Sequence, residues 1–107
     1  MKKPARNLIR SLPNMNVELT TDFLQDLEDQ VEYISQDKPL AAQKFKDDLF
    51  ALLEDLPKMP LKHRQSIYFE NDKVRDLIFK GYTVTFKIDE ANNRIVVFGF
   101  TKYKEDL

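Results

Sequence analysis

Between residues 58 and 80 the chain carries Lys58, Lys62, His63, Arg64, Lys73, Arg75 and Lys80. Cations gathered this closely suit a phosphate or an acidic partner, since arginine offers a planar fork of donors and lysine a compact point charge. His63 is the only histidine, and imidazole is the side chain that titrates unaided near neutrality, so it is the natural candidate for moving a proton. Lys102, Tyr103 and Lys104 add a second basic group in the tail. The chain has no Cys, which removes a thiolate nucleophile, a disulfide framework and a thiolate metal site. No metal and no cofactor are expected.

Arg75 is the most pointed of these residues because of where it falls. In "VRDLIFKGYTVTF", residues 74–86, two short strands meet at Lys80 and Gly81. A two-residue turn needs positive φ, which glycine adopts without steric cost. Such a turn pairs Phe79 with Tyr82, Leu77 with Val84 and Arg75 with Phe86. Arg75 then shares the core-facing row, at the end furthest from the turn, where its stem can be buried and its guanidinium left in reach of an anion. Its structural alternative is an ion pair with a helix carboxylate such as Asp48 or Glu54. Asp76 faces the other way, beside Thr83 and Thr85, and reads as a solvent-facing sheet residue paired with a lysine. His63 has the reading of an ordinary loop histidine, Tyr82 and Tyr103 that of packing residues with a wet hydroxyl, and Phe98 and Phe100 that of core or partner-facing aromatics.

The elements that must hold these residues follow from periodicity. Met15, Val17 and Leu19 alternate with polar neighbours, as in a half-buried strand. Thr20 or Thr21 can cap the helix that follows, in which Leu24, Leu27, Val31 and Ile34 form one stripe and Asp22, Asp26, Glu28, Asp29 and Glu32 occupy the remainder. Pro39 suits the first turn of a second helix lined by Ala42, Phe45, Leu49, Leu52, Leu53 and Leu56, and Pro57 ends it. A link this short makes the helices an antiparallel hairpin. After a connector rich in proline and base, "IYFE" reads as a brief edge segment, followed by the strand pair and by "RIVVFGF". The order is β-α-α-β-β-β, which predicts an α+β domain whose helical hairpin covers one face of a small, mainly antiparallel sheet.

With 107 residues, 42% hydrophobic and 33% charged, the chain is one globular domain, taken as residues 15–107 behind a basic arm over residues 1–14. In that arm Leu8, Ile9 and Leu12 are spaced for one helical turn against something. The net charge of -1 does not announce a nucleic-acid binder, although the separation of acids and bases along the chain can make one face cationic. No apolar run approaches the roughly 20 residues of a membrane helix, and the basic start lacks the apolar stretch of a signal peptide, so a cytoplasmic protein is expected.

Taken together, "VEYISQDKPLAAQKFKDDLFALLEDLPKMP", "VRDLIFKGYTVTFKI" and the closing "IVVFGFTKYKEDL" resemble the RelE/ParE family of bacterial toxins, the toxic halves of type II toxin–antitoxin modules, sometimes labelled plasmid stabilisation proteins. The resemblance runs from about Val17 to the carboxyl terminus and lies in the order, spacing and total length of the pieces. It implies a growth inhibitor neutralised by a cognate antitoxin, with no membrane and no small-molecule substrate. Two targets are implied: RelE-like members cut messenger RNA in the ribosome without metal, and ParE-like members poison DNA gyrase.

For a nuclease, the resemblance makes Arg75 the phosphate clamp, with His63, Lys102 and Tyr103 as candidates for proton transfer and Lys62, Arg64, Lys80 and Lys104 as target contacts. Lys102 stands where a histidine is common in nucleolytic members, and a lysine of ordinary pKa is a poor acid or base at neutral pH. Long helices, a slightly acidic total and a tail without a proton shuttle incline the reading to gyrase. A relative that binds its antitoxin and harms nothing is the third reading, and whether the protein is an enzyme turns on this choice.

Overall fold

The computed structural model describes residues 15–102; the basic arm, Tyr103 and Lys104 lie outside the described residues. Strand β1 (Asn16–Leu19) leads into helices α1 (Thr21–Ser35) and α2 (Pro39–Asp55), then two 3-10 turns, Leu56–Lys58 and Pro60–Lys62. Strands β2 (Arg64–Gln65), β3 (Val74–Phe79), β4 (Tyr82–Asp89) and β5 (Arg94–Lys102) follow. They form one sheet in the order β1-β5-β4-β3-β2, with β1 parallel to β5 and the other pairings antiparallel. The two helices pack on one face of it, giving the expected α+β architecture with one further two-residue strand.

Thr20 caps α1: its hydroxyl accepts from the Phe23 amide at 3.1 Å, filling one of the open donors of the first turn. The buried stripe of α1 is centred on Phe23 and Leu27, with Val31 and Ile34 packed beside them. Leu24, expected in that stripe, is 38% exposed. Phe23 displaces it by meeting Phe100 of β5 edge-to-face, with ring centroids 5.8 Å apart. On α2, Ala42, Phe45, Leu49 and Leu53 are buried and Leu52 turns outward. Phe45 sits among Phe79, Tyr82 and Phe100 at centroid distances of 5.1, 5.4 and 6.5 Å.

The β3–β4 hairpin has the register its turn dictates, Phe79 opposite Tyr82, Leu77 opposite Val84 and Arg75 opposite Phe86. Lys80 (φ 48°) and Gly81 (φ 85°) both take left-handed backbone. Between β4 and β5 the register slips, so that Thr85 faces Gly99 and Phe86 faces Val97, leaving Phe98 as the extra residue of a bulge. Strict alternation would put Gly99 beside Ile95 and Val97 on the helix side; the bulge puts Phe100 there instead. Phe98 packs edge-to-face on Phe69, 5.7 Å away, on the opposite face of the sheet.

The "IYFE" segment is not a strand. The edge strand is Arg64–Gln65, paired with Asp76 and Arg75. Beyond it the Tyr68 amide donates to the Ser66 hydroxyl at 3.3 Å, which turns the chain so that Phe69 can lie over Phe98 on the outer face.

Candidate functional site

The half-buried guanidinium of Arg75 is held by backbone. Its Nε donates to the Asp72 carbonyl at 2.8 Å and its NH1 to the His63 carbonyl at 3.0 Å. The alternative reading, an ion pair with Asp48 or Glu54, is not what forms among the described residues. Asp48 is occupied by Lys44 and Lys80 at 3.1 and 3.3 Å, near the turn end of β3. Arg75 is five residues back along that strand, about 17 Å away at the ordinary rise of a strand. The residue therefore fastens the connector after α2 to β3.

Asp76 is the larger correction. The expected solvent-facing carboxylate is only 2% exposed. It accepts from the Thr85 hydroxyl at 3.0 Å and from Arg64 NH2 at 3.4 Å. Its outward orientation on the strand is as alternation requires, but this face is not bare: Phe69 packs on Phe98 there and Ser66 beside the edge strand is buried. Thr85 in turn needs Gly99 opposite it: a Cβ there would stand 3.1 Å from the Thr85 Cβ and 3.4 Å from its Oγ1. Arg64 thus rests on a buried carboxylate and keeps 41% of its side chain exposed, a charge fixed in place and still presented outward.

His63 lies on the other side of the same strands. Its ring meets Phe86 edge-on with centroids 5.7 Å apart. Burial, and next the charge of Lys62, hold its pKa below the usual histidine value, so the imidazole is neutral at pH 7. It can accept or donate a hydrogen bond there; it is a weak source of protons.

Lys62, His63, Arg64 and Arg75 therefore come together at the β2–β3 edge. Lys80 and Lys102 do not join them. Lys80 lies over the Phe79 ring at 5.5 Å and Lys102 over the Tyr82 ring at 5.7 Å, both at the turn end of the sheet. Beside the cationic edge stand Ile67 and Tyr68, 68% and 67% exposed, which sequence reasoning assigned to a strand. The signal for the buried Asp76 was present in Thr85 opposite it and in Gly99, but not in any motif. Among the described residues no group of three His, Asp or Glu side chains could hold a metal ion, and no helix is long and apolar enough to cross a membrane. The arrangement can grip an anionic or mixed polar and apolar partner; among the described residues it does not assemble an acid and a base about one reacting atom.

The family model for the ParE toxin of the type II toxin–antitoxin system, parDE, matches residues 17–107. No curated protein matches the chain. Among solved structures it is similar to one described as the chromosomal ParDE TA system from P. aeruginosa, with a TM-score of 0.71 and 18% identity. That alignment covers 86% of this chain and 99% of the other, and at such identity it is a likeness of fold.

Proposed function

The chain belongs to the ParE toxin family of type II toxin–antitoxin systems, whose toxins are paired with a cognate antitoxin, and from that premise we propose that it arrests growth by poisoning DNA gyrase. The observation that supports this target is that, among the described residues, the two candidates for proton transfer, His63 and Lys102, stand at opposite ends of the sheet and the proposed phosphate clamp is already engaged. His63 is held neutral against Phe86, Arg75 is engaged by two carbonyls, and Lys102 lies at the other end of the sheet over Tyr82. Recognition of a protein surface needs no such convergence. The edge formed by Lys62, Arg64, Ile67 and Tyr68 has the mixture of anchored cation and exposed aromatic that protein interfaces favour.

The gathering of Lys62, Arg64 and Arg75 on one edge favours the rival reading, a ribosome-dependent messenger RNA endonuclease. Inducible expression without the antitoxin separates the two. The gyrase reading expects growth arrest, trapped gyrase–DNA complexes and broken DNA, all relieved by the antitoxin. Transcripts cut in translating ribosomes with gyrase untouched would transfer the assignment to the nuclease, and unimpaired growth would leave a relative that only binds its antitoxin. Within the gyrase reading, Ile67→Ser combined with Tyr68→Ser should lower toxicity at least about tenfold, while stability changes by no more than roughly 0.5 kcal/mol per exposed site. Colony counts and urea unfolding measure the two effects.

A further inference from the structure

One concave, largely apolar surface adjoins the cationic edge at Lys62. Met15, Pro57, Met59, Leu61 and Ile88 line a cavity of about 460 Å³. Met59 and Leu61 are 61% and 54% exposed, so this wall is unfinished. Of its polar members Lys73 bonds to Glu90 at 3.1 Å and Lys58 to Asp55 at 3.0 Å, while Lys62 stands at the rim, which leaves the aliphatic surface as the part without a complement.

The described residues begin at Met15, itself a lining residue. The Asn16 amide donates to the Asn93 carbonyl at 3.0 Å, which fixes the start of β1 at the cavity. Residues 1–14 therefore join the domain at its mouth. In their sequence Leu8, Ile9 and Leu12 have the spacing of one helical turn, and Lys2, Lys3, Arg6 and Arg10 supply four basic side chains. The family model starts at residue 17, so this segment lies outside what the chain shares with its family.

We propose that Leu8, Ile9 and Leu12 seat in this cavity in cis, so that the arm completes the domain's own apolar surface. Leu12 precedes Met15 by three residues and Leu8 by seven, reaches of at most about 10 and 25 Å. A tether this short gives an effective concentration on the order of millimolar, enough for a modest apolar contact to remain closed. The basic side chains then project beside Lys58 and Lys62 and enlarge the cationic end of the molecule. The inference is independent of the target of the toxin.

Because the sequence has no Cys, paired cysteines report on it cleanly in the full-length protein. Under mild oxidation I9C/L61C should close an intrachain disulfide at least about tenfold faster than I9C/I78C, whose second site is 48% exposed on the outer face. Adding L8D and L12D should abolish that advantage. Equal rates for the two pairs, an advantage that survives the aspartates, or I9C/L61C bonds formed between chains would each overturn the proposal. In the unsubstituted chain, methyl NMR contacts from Leu8 and Leu12 to Met59 and Ile88 are expected, and their absence would overturn it as well.

Discussion

At the residue scale the molecule turns on Asp76, a carboxylate 2% exposed and made tolerable by Thr85 and Arg64. A buried charge that loses its partners, or partners left without their charge, cost more than an exposed pair ever contributes. Asp76→Ala should therefore lower stability by about 2–4 kcal/mol, with Asp76→Asn intermediate because it keeps an acceptor for Thr85; denaturant unfolding decides. Arg75→Ala should cost roughly 1–3 kcal/mol through the two carbonyls it leaves unpaired, so its effect on toxicity has to be compared at equal folded concentration. His63 carries the pH dependence near neutrality. Its folded pKa lies below the ordinary 6.5, so in that interval the unfolded chain binds the proton more readily. The stability it contributes is complete above pH 6.5 and is lost as the pH falls through the lower folded value. Urea midpoints should fall between pH 7.5 and 5.5, and His63→Phe, which keeps a ring against Phe86, should flatten that change. Asp48, lowered by Lys44 and then Lys80, and Asp89, lowered by Asn92 and then Arg94, act in a separate interval below their ordinary value of 3.8.

At the scale of elements, the β4–β5 bulge decides which aromatic meets the helices. It also brings Gly99 against Thr85, so Gly99→Ala should cost about 1–2 kcal/mol by displacing the hydroxyl that holds Asp76. Combined with Asp76→Ala the loss should be smaller than the sum, because both changes break one network; a double-mutant cycle measures it. The hairpin turn was legible in advance from Gly81 and the alternation on either side, and its register agrees residue for residue. Leu24 and the "IYFE" segment were not. Each depends on a partner distant in sequence, Phe100 for the rotation of α1 and Phe98 for the path after β2. Local spacing carries no information about which of two adjacent apolar residues finds such a partner.

At the scale of the whole molecule, family membership supplies an antitoxin, and a partner that binds only the folded toxin must stabilise it by mass action. A thousandfold excess of antitoxin over its dissociation constant should add about 4 kcal/mol, read as a rise in Tm that grows with antitoxin concentration. The sequence by itself determined the α+β architecture, the helical hairpin, the β3–β4 register and the likeness to the toxin family, because periodicity, caps and turns act over a few residues. Only the tertiary structure decided that Asp76 is enclosed, that Arg75 clasps the connector and that Lys80 and Lys102 stand apart from Arg64. Burial and charge pairing are settled by which distant segments come to lie over a face, and here the loop after β2 and the bulge in β5 make that choice.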